Sequence, residues 1–313
     1  MSDDLPSSVS SVADPASGRR AGLLGRAIGE GDPLPEVANI VLVMSGKGGV
    51  GKSSVATNLS LALARSGFRV GLLDADIYGP SIPTMLGMAG RPFSVDGKRI
   101  EPLERFGVKL MSMGFLLEDS KQAVIWRGPM LSGALQQFLG DVHWGPLDFL
   151  VIDLPPGTGD VALTLSQRAR VTGALVVTTP QQVATDDVFK SVSMCKKVNI
   201  AVLGIVENMS YFIDSAGVRH ELFGQGGGQA VADFAEAPLL GQVPLDPVVR
   251  EWADKGTPVV QAAPSSNVAR VFMNVAERLV ERVEVANGAA VQEVPVIDRS
   301  GGDGGHKRLP VIK

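Results

Sequence analysis

A single cysteine, Cys195, in 313 residues leaves no partner for an intrachain disulfide, which fits a reducing compartment. The three histidines, His143, His220 and His306, are scattered without metal-ligand spacing. No apolar run approaches the roughly 20 residues that a membrane-crossing helix needs. The first ten residues, MSDDLPSSVS, lack the apolar stretch of a secretory signal. The formal net charge of −4 gives no basic excess to draw nucleic acid or an anionic membrane. These absences predict a soluble, cytoplasmic protein that binds neither nucleic acid nor membrane.

What is present is an ordinary globular balance, 45% hydrophobic and 20% charged residues. Residues 1–38 and 286–313 are rich in Ser, Pro, Gly and Asp or lack sustained periodicity. They read as flexible arms around a core of residues 39–285. No internal repeat is visible. Within the core, NIVLVMS (39–45), RVGLLD (69–74), DFLVID (148–153), GALVVTT (173–179) and IAVLGIVEN (200–208) are continuous apolar runs. Strands buried on both faces of a parallel sheet read this way. Helical patterns over 51–66, 129–139, 159–167 and 182–195 fall between most of them. The alternation predicts a doubly wound α/β fold with a mostly parallel sheet and ligands beyond the carboxyl ends of its strands. Asp96-Gly97 interrupts it as a β-hairpin turn.

The stretch SGKGGVGKSS (45–54) lies where such a fold binds its ligand, between the first strand and the first helix. Gly46, Gly51, Lys52 and Ser53 satisfy the spacing of a phosphate-binding loop. The glycines let backbone N–H groups turn inward as an anion nest, and the helix N-terminus adds favourable potential. Lys52 is expected to reach the β- and γ-phosphates of ATP and Ser53 to ligate Mg²⁺. Lys47, Gly48, Gly49, Val50 and Ser54 complete the candidate ATP-binding segment. In DLPPGTGD (153–160), Asp153 can hold Mg²⁺ through water and Gly157 lies near the γ-phosphate. In DADIYGPS (74–81), Asp74 joins the Mg²⁺ set and Asp76 is the better choice to orient the attacking water. Each aspartate alone also reads as a cap or turn residue. Together they predict a nucleotide hydrolase, an Mg²⁺-dependent P-loop ATPase.

The loop resembles the deviant phosphate loop of the MinD-like ATPases. With LLDADIYGPSIPTMLG, VIWRGPM, DFLVIDLPPGTGD, TTPQQVATDDV, GIVENMS and VPLDPVVRE, the chain resembles the Mrp/ApbC family of iron–sulfur cluster carriers from about residue 38 to about 284. The resemblance implies a nucleotide-gated homodimer that hydrolyses ATP, carries a [4Fe–4S] cluster and delivers it to apoprotein clients. It implies that Lys47 crosses the dimer interface to the partner's nucleotide, much as an arginine finger does; by itself Lys47 is also a solvated loop charge. It implies that Asn208 reads the adenine edge and that the PLDP segment, with Pro244 and Asp246, packs against the base. Taken alone, Asn208 is a turn residue at a strand end.

One departure accompanies the match. Family members that carry a cluster generally place Cys-x-x-Cys just after the VENMS segment, so that two chains supply four thiolates. Here residues 210–224 read SYFIDSAGVRHELFG, with Asp214 to Gly217 where the pair would fall. No iron–sulfur ligand is identified, and Cys195, on a helical pattern, reads as a buried small hydrophobe. Three rival readings follow. A partition-type ATPase would need a basic face for DNA. A septum-site-type ATPase would need a terminal membrane helix, for which the amphipathic stretch 265–283 is the candidate. An assembly scaffold that has lost cluster binding needs neither.

Overall fold

The computed structural model describes residues 23–77, 79–94, 97–116, 128–157 and 159–292. The expected strands form as β1 (Ile40–Ser45), β2 (Val70–Asp74), β5 (Phe149–Asp153), β6 (Gly173–Thr178) and β7 (Val202–Glu207). With β3 (Leu103–Arg105), β4 (Val108–Ser112) and β10 (Leu239–Gln242) they form one eight-stranded sheet in the order β10-β7-β6-β1-β5-β2-β4-β3. The pairings among β1, β2, β4, β5, β6, β7 and β10 are parallel. Alternate residues of β1 explain its unbroken apolar run. Val41 and Val43 enter the core on one face, while Ile40, Leu42 and Met44 enter the core on the other. The chain leaves β1 toward β2 on one side and later returns to β6 on the other, which makes the carboxyl end of β1 the switch point.

Helices cover both faces. They are α1 (Lys52–Arg65), a short α2 (Ile82–Met85), α3 (Gly128–Gly140), α4 (Gly159–Arg168), α5 (Gln182–Lys197), α6 (Gly227–Ala235), α7 (Pro247–Asp254), a short α8 (Val259–Ala262) and α9 (Asn267–Gln292). The apolar stripe of α9 is core: Val268, Phe272, Val275, Leu279 and Val283 are buried in the cluster that includes Leu59 and Leu63 of α1. No helix among the described residues is long and apolar enough to cross a membrane.

Three strands of this sheet were not legible as such. β3 (Leu103–Arg105) and β4 (Val108–Ser112) form an antiparallel pair at one edge, turning at Phe106 and Gly107, both with positive φ. β10 (Leu239–Gln242) makes the opposite edge. Edge strands are short and partly exposed, so they lack a long apolar run. Asp96 of the expected turn and the Trp126-Arg127 of VIWRGPM lie outside the described residues. Gly97 has φ 70°, and Phe93 and Glu101 form an antiparallel bridge on either side.

Both compositional boundaries lie inside packed chain. Before residue 39, Leu34 and Val37 are buried, and buried Arg26 pairs with Asp32 and donates to the carbonyls of Leu34 (2.6 Å) and Val37 (3.2 Å). Past residue 285, the Asn287 amide in α9 donates to the Leu24 carbonyl (2.6 Å) and to Asn39 Oδ1 (2.8 Å). Polar bonds fasten these ends, and a hydrophobicity pattern does not register them.

Candidate functional site

The loop between β1 and α1 turns through Gly49 and Gly51, each at φ 80°. Only glycine adopts this backbone freely. Close approach fixes two more features. A Cβ on Gly46 would lie 2.4 Å from the Val188 nitrogen of α5, and one on Gly51 would lie 2.2 Å from Asn208 Nδ2. The Gly157 N–H donates to the Ser45 carbonyl (3.2 Å), which brings the loop after β5 beside the first loop. Val50 is buried, Gly48 and Gly49 are exposed, and Lys47 is half-buried with no ion-pair partner among the described residues.

Beneath the loop, Lys52 is 6% exposed and its ammonium lies 2.8 Å from Asp153 Oδ1 and 3.6 Å from Asp76 Oδ2. Ser53 Oγ donates to Asp153 Oδ2 at 2.5 Å. Residues a hundred positions apart meet because β1 and β5 are neighbours in register, with Val43 opposite Asp153. Burial pushes the Asp153 carboxyl up against the opposing pull of Lys52. Asp74, paired with Asp153 across β2 and β5, is fully buried. Its carboxyl is pushed up to about 8, first by burial and then by the charge of Asp153. Ser112 Oγ (3.0 Å) and the Ile82 N–H (3.3 Å) donate to one Asp74 oxygen, and the Asp76 N–H (3.2 Å) donates to the other. Asp74 is therefore tied to its neighbours, while Asp76 and Asp153 face the lysine.

The donor set suits one metal class. Carboxylate and hydroxyl oxygens are hard ligands, and Mg²⁺ is commonly held by one or two carboxylates plus substrate phosphates. Among the described residues no cluster of three or more His, Cys, Asp or Glu forms a metal cage.

A cleft of about 900 Å³ opens beside the loop and is lined by Gly51, Ser54, Asn208, Pro244 and Asp246. Met85, Met88 and Phe115, which motif reading did not single out, also line it. Asn208 is buried, and its amide donates to the Val50 carbonyl (2.8 Å), so it also braces the phosphate loop. Asp246 accepts from the Val248 N–H (3.0 Å) as the cap of α7. The cap role fits its place before Pro247, a favoured first helical residue.

The segment where cluster cysteines are absent forms a small hairpin of β8 (Phe212–Ile213) and β9 (Arg219–His220). Asp214 Oδ1 accepts from the N–H groups of Ala216 and Val218, both at 2.9 Å, and Asp214 Oδ2 lies 2.7 Å from His220 Nε2. The His220 ring holds the Asp214 carboxyl below its ordinary range. Cys195 is 0% exposed on α5 with its sulfur 3.5 Å from Met44 Sδ, and burial pushes the thiol up to about 11. A soft iron–sulfur cluster therefore finds no accessible thiolate among the described residues.

Sequence reading also missed Glu207, a buried carboxylate at the end of β7. Its only local signal was its place next to Asn208.

Comparison with known proteins agrees with this architecture. An iron–sulfur cluster carrier protein of Aquifex aeolicus is 53% identical over 256 residues, which cover 80% of this chain and 70% of that protein. One of Synechocystis is 49% identical over 257 residues, covering 80% and 72%. Among solved structures, a nucleotide-binding protein of Archaeoglobus fulgidus in complex with ADP superposes with TM-score 0.64 at 40% identity, covering 74% of this chain and 92% of that one. The cell-division ATPase MinD of Pyrococcus furiosus gives 0.58 at 25% identity, covering 78% and 98%. A ParA family model, described as NUBPL iron-transfer P-loop NTPase, matches residues 36–280. The chain accordingly belongs to this family of nucleotide-binding P-loop NTPases, on the branch of the Mrp/ApbC cluster carriers.

Proposed function

We propose that the chain is an Mg²⁺-dependent ATPase that acts as a nucleotide-gated homodimer in the assembly and delivery of iron–sulfur clusters to apoproteins. The observation that carries the hydrolytic part is the convergence of Lys52, Ser53, Asp76 and Asp153 under a loop of glycines. The backbone from Gly46 to Gly51 cradles the phosphates. Lys52 exchanges Asp153 for the β- and γ-phosphates, which frees that carboxylate and Ser53 Oγ to hold Mg²⁺ with Asp74 behind them. Mg²⁺, when bound, neutralises charge on the phosphate oxygens. Asp76 orients the attacking water, and Lys47 of the second copy neutralises charge on the transferring phosphoryl group. Ser54, Asn208, Pro244 and Asp246 take the nucleoside in the adjoining cleft.

The cluster is cargo in this reading, and the relatives' names support it. The ligands do not come from the hairpin, where Asp214 and His220 satisfy one another. That observation favours a second reading, an ATP-driven assembly scaffold whose clients or a small thiol supply the sulfur ligands. Purified chain assayed for ATP turnover with Mg²⁺ and with EDTA, and sedimented with and without ATP, tests the hydrolytic part. Mg²⁺-dependent turnover and ATP-dependent dimerisation are expected; their absence overturns it. Anaerobic incubation with iron and sulfide, with and without a client apoprotein, separates carrier from scaffold.

A further inference from the structure

Glu207 is 1% exposed, and no Lys, Arg or His pairs with it among the described residues. Its carboxylate is instead filled by neutral donors from three chain segments. Ser210 Oγ (2.6 Å) and Gln242 Nε2 (2.8 Å) donate to Oε1, and the Gly228 N–H donates to Oε2. Gly228 is in the first turn of α6, which has no side-chain cap of its own, so the carboxylate also meets the positive end of a helix. The glycine run 226–228 makes this approach possible. A Cβ on Gly228 would lie 2.7 Å from Glu207 Cβ, and one on Gly227 would lie 2.5 Å from the Pro180 carbonyl.

These bonds have a specific topology. Ser210 begins and Gly228 ends the excursion that carries the β8–β9 hairpin, so one carboxylate clamps both ends of residues 211–227. The excursion exposes Ile213, Val218 and Leu222. The third donor, Gln242, lies on β10, the strand that leads into Pro244 and Asp246 of the cleft. The residue after Glu207 is Asn208, which lines that cleft and braces the phosphate loop.

We infer that Glu207 is a positioning residue that couples occupancy of the nucleotide cleft to the hairpin. This rests on the nucleotide-binding reading above. A nucleotide that draws on Asn208 or on the Pro244–Asp246 wall moves the strand end holding the carboxylate, and the clamp carries that shift to both ends of the excursion. A carboxylate suits the task because it accepts at both oxygens, whereas a glutamine cannot accept from Gly228 while also accepting at Oε1.

Hydrogen exchange on the full chain, with and without Mg²⁺ and a non-hydrolysable ATP analogue, tests the inference. In the wild type, analogue binding is expected to change exchange across 211–228 by about threefold or more. Glu207→Gln should bind the analogue within about threefold of wild type yet lose that response, and its nucleotide-free Gly228 amide should exchange about tenfold faster. Ser210→Ala, which opens only the other end, should lose part of the response and serves as the readout if Glu207→Gln does not fold. A response that persists in both variants, even on a raised baseline, reduces Glu207 to a structural bond and overturns the coupling. A wild type that binds the analogue with a silent hairpin overturns the coupling alone. A wild type that binds no analogue overturns the nucleotide reading along with it.

Discussion

The phosphate-loop rim and the β8–β9 hairpin stand at opposite extremes of constraint. At the rim, Lys52, Asp74, Asp76 and Asp153 are buried, and each side chain is held by another group. At the hairpin, residues 215–220 are exposed, and Asp214 satisfies its own turn and His220. A buried charge network leaves little freedom, because removing one member strands another in low dielectric. A surface hairpin can exchange cysteines for aspartate and glycine and remain folded. The two segments are thus constrained differently, the rim by groups buried against one another and the hairpin by its own turn.

The largest effect should come from the rim. Lys52→Ala removes the cation proposed to meet the phosphates and leaves Asp153 buried without its cationic partner. ATP binding should weaken and hydrolysis should fall by more than about a thousandfold, as steady-state phosphate release will report. Near-normal turnover in a folded variant would sink the phosphate-loop assignment.

Next is Lys47, which differs from Lys52 in having no ion pair to lose among the described residues. Lys47→Ala should keep ATP affinity within severalfold but lose about 10³-fold in hydrolysis, as removal of a finger supplied in trans does, together with ATP-induced dimerisation. Mixing Lys47→Ala with Asp76→Ala chains sharpens the test. A heterodimer that restores a trans lysine to a site retaining its own Asp76 recovers up to one active site. Normal hydrolysis by Lys47→Ala alone would remove the trans role.

A third experiment acts at the hairpin. The native chain should hold little iron after reconstitution and desalting, and Cys195→Ser should leave both iron content and ATP turnover unchanged. Installing the missing pair as Asp214→Cys with Gly217→Cys should raise retained iron toward about four per dimer, the content of a four-thiolate cluster. The second cysteine carries some strain, since Gly217 sits at φ 82°. Stable iron in the native chain that disappears in Cys195→Ser would make the buried thiol a ligand and reverse the comparison.

The unequal constraint also explains what was legible in the sequence. The five central strands announce themselves because both faces of each are buried, and the loop announces itself because its glycines and Lys52 act through local spacing. β3 and β10 escape because an edge strand has fewer neighbours to satisfy, and β4, next to the edge, escapes because Lys109 breaks its apolar run. The fastening of residues 23–38 escapes because it depends on Asn287 finding Leu24 and Asn39 far along the chain, and on Arg26 folding back onto main-chain carbonyls, which no apolar spacing records. Glu207 escapes for the same reason: Ser210 is local, but Gly228 and Gln242 reach it only after the sheet has formed. Spacing reveals a function carried by one segment, while a function assembled from several segments waits for the fold.

The smallest expected effect is a pH dependence within the rim itself. Asp74 is raised from its ordinary 3.8 to about 8 because burial disfavours its charged form and Asp153 adds a like charge, against the bonds from Ser112 and Asp76 and the pull of Lys52. An acid with a raised folded-state value keeps its proton where the unfolded chain has already lost one. Stability should therefore fall as pH rises from about 4 to about 8 and level off above that. In EDTA and without nucleotide, the melting temperature should trace this fall. Asp74→Asn removes the titrating group but keeps one acceptor oxygen; with that oxygen toward the Asp76 N–H, the Ser112 hydroxyl can turn to accept from the new amide, while the Ile82 N–H loses its acceptor. The variant should lose about 1 kcal/mol at pH 5, the scale of one altered hydrogen bond, and show a shallower decline toward pH 8. The slope that remains belongs to Asp153, whose carboxyl is raised by burial in the same way. Identical slopes in variant and wild type would mean that Asp74 is ionised in the folded chain, and the rim would then hold one more negative charge for Lys52 to balance.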